Sequence, residues 1–405
     1  MRVRVAQISC GTEYSGVQPV LNEMAERAGI ELVYPEMTIE EVEKACEEVG
    51  FKAKSPSLNM MIARAVSALK DPTIRGAILL TCFKCSEGTI VKDVVRRFLH
   101  ERRRDLPVIT YSNVEKPKPA EIFARLEALS TIITRKSLLM RERQEGTTLG
   151  IDAGSSMTKA VVMRENEIVG AAWLPTTDPV RSADEAAKKA LADAGISHEK
   201  LDAIGVTGYG RELVADFFHA NLNLEEVSVV AKGAAMLAEM HRGEATVIDI
   251  GGMSNKLILM RDGIVNTFNL GGICGGSSGR FLEVASHRLD VSIEELGELA
   301  LQSTQKFELQ SYCMVFGIQS LVVALASGIK REDVAAAACR SVAEQVYENQ
   351  IREMHVSPPI IFVGGVSLVK GVKKAFEELL GYELIVPHHS QFAGAVGIAT
   401  LASGV

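Results

Sequence analysis

Residues 149–163 read LGIDAGSSMTKAVVM, and residues 245–260 read ATVIDIGGMSNKLILM. Each is an apolar run that ends in an aspartate, then a glycine turn, then a second apolar run. Short β-branched runs flanking such a turn predict strand, turn, strand. The two copies start about a hundred residues apart, which predicts an internally duplicated fold. In the first copy Asp152 is followed by Gly154, Ser155 and Ser156. Glycine lets a backbone approach a phosphate closely, and successive N–H groups form an anion cradle. Ser155, Ser156 and Thr158 add hydroxyl donors, and Lys159 adds charge. In the second copy Asp249 precedes Gly251 and Gly252 in the same way. An aspartate at each strand end suits a hydrated Mg2+, which keeps several waters and needs few carboxylates. Two such hairpins facing each other would grip a nucleoside triphosphate from opposite sides. Either hairpin alone is equally an ordinary tight turn. The ordered pair favours a nucleotide site because a third glycine junction follows. Residues 360–372, IIFVGGVSLVKGV, run from an apolar strand through Gly364-Gly365 into a helix. Bare backbone at such a junction can carry an adenosine ring.

Upstream of the hairpins the pattern differs. Val3–Ile8, Gly76–Leu80 and Val108–Tyr111 read as strands. Between them, Val17–Ala28, Ile39–Val49, Asn59–Leu69 and Ile90–Leu99 have helical spacing. That alternation predicts an open parallel sheet with helices on both faces. The basic stretch Arg135–Arg143 reads as a linker, so the expected domains are 1–145 and 146–405. Charge changes at the same place. Residues 1–145 carry 23 Lys/Arg against 20 Asp/Glu, and the remainder 21 against 31. A net charge of −7 over 405 residues argues against a general nucleic-acid binder. No run of about 18 apolar residues predicts a membrane span, and the N-terminus lacks a signal-peptide core. The expectation is a cytoplasmic chain whose seven cysteines are thiols, metal ligands or redox groups rather than structural disulfides.

Two cysteines of the second domain have a shared setting. Cys274 sits in the glycine-rich turn of GGICGGSSGRFLEVASHRLD, just before a helix. Cys313, in SYCMVFGIQSLVVAL, also precedes an apolar helix. A helix start favours anionic groups, and both a thiolate and an iron–sulfur cluster are anionic. The plainer reading is two buried free thiols. One chain supplies two ligands and a [4Fe–4S] cluster wants four, which a twofold dimer would provide. In the first domain, Cys10 ends one strand, Cys82 ends another and Cys85 lies three residues on. Sites in open parallel sheets form outside the carboxyl ends of strands, so the three are expected to act as one site. An iron–sulfur or metal site, a redox dithiol and inert thiols all stay open there. Cys46 and Cys339 lie in helical patterns and read as bystanders, and His388-His389 as a solvated loop.

The three glycine motifs, in this order, resemble the actin, Hsp70 and sugar-kinase superfamily over about residues 148–402. That resemblance implies two duplicated α/β lobes around a nucleotide cleft. The cysteine segments narrow it further, together with VTGYGR (206–211, with Gly208 and Gly210), EVSVVAKGA (226–234) and FAGAVGIA (392–399). They resemble the BadF/BadG/BcrA/BcrD-type ATPases that activate 2-hydroxyacyl-CoA dehydratases and benzoyl-CoA reductases. The resemblance implies ATP with Mg2+ in the cleft, a homodimer, and one bridging [4Fe–4S] cluster on Cys274 and Cys313. It also implies a low-potential electron donor such as ferredoxin and a partner metalloenzyme as acceptor. The chain departs from that pattern in three places. Met253 and Ser254 stand where the family has Gln-Asp, Val229-Val230 where it has Cys-His, and Ile273 and Gly275-Gly276 beside the first cysteine. The absent carboxylate at Ser254 bears on hydrolysis, which places Ser254 beside Asp152 and Asp249 among the catalytic candidates.

The first domain is similar, through GAILLTCFKCSEGTIVKDVVRRFL (76–99), to a lobe of the partner enzymes themselves. The two-domain layout resembles a methanogenesis marker family of methane-producing archaea. It implies a role in activating methyl-coenzyme M reductase. Two other readings are a small-molecule kinase of the carbohydrate type and an ATP-binding sensor or scaffold that does not hydrolyse.

Overall fold

The computed structural model describes residues 2–82, 85–113, 116–271, 277–309, 313–352, 354 and 356–405. The chain divides into two compact units, Met1–Lys136 with Val265–Phe268, and Ser137–Ile264 with Asn269–Val405.

The first unit holds four parallel strands, β1 (Val3–Ser9), β2 (Ile30–Val33), β3 (Gly76–Cys82) and β4 (Val108–Asn113). Their spatial order is β2-β1-β3-β4. β3 is covered on both faces, which is why GAILL is a continuous apolar run. Ala77 and Leu79 pack with Ile8 against the helices Pro56–Lys70 and Ser86–Arg102, through Met61, Ile62, Val91 and Val95. Gly76 points the other way. A Cβ there would meet Leu129 and Ile133 of the helix Pro119–Thr134 at 3.2 and 2.9 Å. The sequence reading passed over β2. It is four residues long and fully buries only Ile30, so its apolar pattern is too short to stand out. The chain leaves β1 for β2 on one side and returns to β3 on the other. The carboxyl ends of β1 and β3 therefore form the crevice where open sheets take ligands.

The second unit repeats one design. Its first sheet contains β5 (Thr147–Ala153), β6 (Met157–Arg164), β7 (Glu167–Pro175), β8 (Ala203–Thr207) and β9 (Leu222–Asn223), ordered β7-β6-β5-β8-β9. Its second contains β10 (Glu244–Ile250), β11 (Asn255–Arg261), β12 (Ile264–Leu270), β13 (Ile360–Val363) and β14 (Leu384–Ile385), ordered β12-β11-β10-β13-β14. The two orders correspond strand for strand, as the duplicated hairpins predict. This is the mixed α/β architecture of the actin and sugar-kinase type. Side chains alternate along β5. Leu149, Ile151 and Ala153 join a core with Ala183, Ala186 and Ala190 of the helix Pro179–Ala194. Gly150 faces the opposite way, where a Cβ would sit 2.0 Å from the carbonyl oxygen of Ala395. The helices Glu226–Leu237 and Ala393–Ala402 meet as closely, since a Cβ on Gly397 would lie 1.9 Å from the Val229 oxygen. Small residues here let the two central helices press against the sheet ends that carry the aspartates. Among the described residues no helix is long and apolar enough to cross a membrane.

Candidate functional site

β5 and β6 pair with Asp152 opposite Lys159, and β10 and β11 with Asp249 opposite Lys256. The turn of the second hairpin closes on a Gly251 amide donating to the Ser254 carbonyl at 2.9 Å. The two turns come together across a cavity of about 420 Å3. A Cβ on Gly252 would stand 2.5 Å from Ser156 Oγ, so only glycine permits that approach. Asp152, Gly154, Ser155, Ser156 and Lys159 line the cavity from one lobe. Asp249, Gly251, Gly252, Ser254, Gly364 and Gly365 line it from the other. Gly364 has φ +86°, and a Cβ there would lie 2.4 Å from the Ile250 oxygen and 2.5 Å from Asp249 Oδ1.

Three of the sequence candidates take other places. Thr158 is fully buried and its hydroxyl bonds Thr176 Oγ1 at 2.8 Å, because its register turns it away from the cavity. Gly208 and Gly210 lie behind the first turn. Gly208, at φ +101°, packs on Ala153 backbone, and the Gly210 amide donates to the Ala153 oxygen at 2.9 Å. They shape the turn from beneath, and Tyr209 between them is the residue that reaches the cavity.

Each aspartate is held by the lysine across from it. Lys159 Nζ is 2.9 Å from Asp152 Oδ2. Lys256 Nζ is 2.9 Å from Asp249 Oδ2 and 2.8 Å from Glu226 Oε2. Burial works against the charge of Lys256, but Asp249 and Glu226 outweigh it and hold the ammonium above its ordinary value. Lys256 in turn draws the Glu226 carboxyl below the usual range, assisted by Lys159 and Arg211. Glu226 is presented to the cavity by Glu225, the N-cap of its helix, whose carboxylate accepts the Val227 amide at 2.6 Å. Glu226 and Lys256 are functional-site residues that the sequence reading did not single out. Lys256 had a signal, since it stands seven residues after Asp249 as Lys159 does after Asp152. Glu226 opens the EVSVVAKGA stretch, but nothing local ties its carboxylate to a hairpin, since three strands and two helices separate it from the first and its own helix from the second. Asp152, Asp249 and Glu226 stand against Lys159 and Lys256 at the cavity. Two aspartates at strand ends are a donor set that would suit a hydrated Mg2+. Trp173, the chain's one tryptophan, also lines the cavity, and its Nε1 finds no acceptor among the described residues.

The second glycine turn also touches the cysteine-bearing region. The helix Gly279–Arg288 begins with two amides that donate into that turn, Gly279 to the Gly251 oxygen and Arg280 to the Gly252 oxygen, both at 2.9 Å. Asn255 Nδ2 adds a bond of 2.6 Å to the Ser277 oxygen. Cys274 lies outside the described residues. Cys313 is half-buried at the N-cap of the helix Met314–Ala326. That helix leaves Val315, Phe316, Val322 and Val323 exposed. Cys10, Cys82 and Cys85 stand at the β1/β3 crevice of the first unit. Among the described residues no group of three or more His, Cys, Asp or Glu is disposed to hold a metal ion.

Two aspartate–glycine hairpins on matching sheets line one cavity, and residues 149–402, which contain both, match a single family. The chain belongs to the BadF/BadG/BcrA/BcrD ATPase family. An uncharacterised protein of Methanocaldococcus jannaschii is 50% identical over 406 residues, spanning 100% of this chain and 98% of its own. The (R)-2-hydroxyglutaryl-CoA dehydratase activating ATPase of Acidaminococcus fermentans is 33% identical, over 63% of this chain and 96% of its own. The crystal structure of that component superposes with a TM-score of 0.60, over 64% of this chain and 98% of its own. The activator of 2-hydroxyisocaproyl-CoA dehydratase from Clostridium difficile, solved with bound ADPNP, gives 0.60 at 29% identity, over 64% and 94%. These activators match about the ATPase unit, whereas the M. jannaschii relative spans the first unit as well.

Proposed function

We propose that this ATPase is a reductive activator, which uses ATP to lower the potential of an electron and hands it to a partner metalloenzyme. The observation that carries the reading is the direct bonding of the Gly251-Gly252 turn to the helix that follows Cys274. A nucleotide phosphate settling on that turn moves the start of that helix with it. Asp152 and Asp249 would hold the hydrated Mg2+ of ATP, and the Ser155, Ser156 and Gly252 amides would receive its phosphates. Lys159 and Lys256 hold both aspartates in place from the opposite strand of each hairpin. Cys274 and Cys313 of two protomers would hold a [4Fe–4S] cluster on the twofold axis of a homodimer. The cluster supplies one-electron storage at low potential. Cys313 fits that role, since it opens at the surface beside an apolar helix face that a second copy would cover. Lowering a one-electron potential by about 300 mV takes about 7 kcal/mol. Coupling to a small effector supplies about 1–3 kcal/mol, so nucleotide hydrolysis is the fitting source.

The electron donor would be a ferredoxin-like protein. The acceptor would be a metalloenzyme with a very low-potential centre, linked to methanogenesis and to methyl-coenzyme M reductase activation. The test is the anaerobically purified protein, examined for iron content, visible spectrum and dimerisation. Cys274→Ala or Cys313→Ala should abolish the cluster while nucleotide binding persists. A double cysteine variant that keeps one cluster per dimer would overturn the assignment. A second reading, an ATP sensor that does not hydrolyse, rests on Ser254. It predicts nucleotide binding without phosphate release.

A further inference from the structure

Three of the first unit's four cysteines, Cys10, Cys82 and Cys85, stand where the strand order of its sheet reverses, and the nucleotide cleft uses none of them. β1 and β3 are parallel neighbours with Ser9 opposite Leu80. β1 ends at Ser9, so Cys10 leaves the ladder beside Thr81 and Cys82, the last residues of β3. Outside the ladder its side chain is not bound to the alternation of faces, and the strand spacing keeps its Cα within the range that a disulfide to Cys82 spans. The thiols are also near neighbours. Burial, with Cys82 and Cys85 close by, pushes the Cys10 thiol above its ordinary value. Cys82 is exposed and Cys10 half-buried. Cys85 is engaged elsewhere, since its Sγ caps the helix Ser86–Arg102 by accepting the Gly88 amide at 3.3 Å. Beside Cys10, Gly11 turns the chain at φ +115°, and no atom lies within 4 Å of where its Cβ would be. The crevice thus has an accessible sulfur, a second sulfur behind it and open space next to both.

We propose that Cys82 and Cys10 form a redox dithiol that reduces a small-molecule disulfide at the carboxyl edge of the first sheet. Cys82 is the attacking sulfur because it is the exposed one. Its thiolate attacks one sulfur of R–S–S–R, the S–S bond breaks, and R–S− leaves and takes up the proton that Cys82 lost. Cys10 then attacks Cys82 Sγ in the mixed disulfide, displacing the second R–S−, which takes the Cys10 proton. Two protein thiols are oxidised to one disulfide, and one R–S–S–R is reduced to two R–SH. A thiol reductant reverses the sequence. This assignment stands apart from the activator reading, which uses Cys274 and Cys313.

The test treats the full chain, reduced and anaerobic, with bis(2-hydroxyethyl) disulfide, and maps the products by mass spectrometry of alkylated peptides. The expected product is a peptide pair linked through Cys10 and Cys82. Cys10→Ser should stop at a hydroxyethyl mixed disulfide on Cys82. Cys82→Ser should lose the linked pair, and Cys85→Ser should still form it. A Cys82–Cys85 link in the wild-type chain, or no linked peptide at all, would overturn the proposal. So would iron or zinc bound at stoichiometry and lost on replacing these three cysteines. The wild-type result decides even if a variant folds poorly.

Discussion

The two hairpins of the ATPase unit share a backbone plan and differ in how their charge is balanced. In the first, Lys159 faces one carboxylate, Asp152. In the second, Lys256 serves two, Asp249 and Glu226; Lys256 and Asp249 are buried and Glu226 is partly exposed. Duplication supplied the same aspartate and lysine twice. The second lobe then drew in a third partner from the helix Glu226–Leu237. Equivalent residues are therefore not equivalent energetically. The first pair can be broken with one charge left over, whereas loss of Lys256 leaves two carboxylates facing each other in a poorly hydrated site.

That asymmetry can be broken deliberately. Lys256→Met should cost about 3–5 kcal/mol of stability, because it strands buried charges. Lys159→Met should cost clearly less. Equal shifts in the urea midpoints of the two variants would remove the distinction between the hairpins.

Lys232 sharpens the comparison from the same helix. It is 2% exposed, and its ammonium donates to the Arg141 carbonyl at 2.6 Å. Burial pushes it down from 10.5 to about 8, with Glu142 opposing only weakly. The unfolded chain keeps that proton up to the ordinary lysine value, and the folded chain releases it above about 8. Stability should therefore rise with pH across that window, by up to about 3 kcal/mol. Lys232→Met should flatten the rise in a series of denaturation curves. A wild-type stability that falls from pH 8 to 10 would contradict the burial argument.

Smaller effects concern the nucleotide. Asp152→Ala should weaken Mg-ATP binding about tenfold or more, by removing a charge-assisted contact. Trp173 lies in the cavity and is the only tryptophan, so its emission should follow nucleotide titration. An unchanged affinity in the Asp152 variant would count against the cleft described. The least effect is expected from Ser254→Asp, which returns a carboxylate to the second hairpin. Phosphate release should rise a few-fold, and a loss or no change would show that the serine does not limit turnover.

Much of this protein was legible as sequence because its signals are local. The aspartate–glycine hairpins need only a strand period and a turn, so both lobes and most cleft residues could be read along the chain. Thr158 shows where local reading fails, since strand register, set by pairing with neighbours, turned its hydroxyl away from the cavity. Gly208 and Gly210 lie in the motif and serve the turn from behind. β2, four residues with one buried face, carried too little pattern to be seen.

The sequence by itself determined the duplication, the glycine turns and the strand-end positions of Asp152, Asp249, Cys10 and Cys82. Each depends on residues within a few positions of one another. Only the tertiary structure decided that Glu226 joins Lys256 and that, of the three thiols expected together, Cys85 is the one that caps a helix. It also decided that the Gly251-Gly252 turn holds the start of the helix Gly279–Arg288. The Glu226 and Gly251-Gly252 contacts are made by chain crossovers, and their partners are fixed by sheet order and helix packing, which no local pattern encodes.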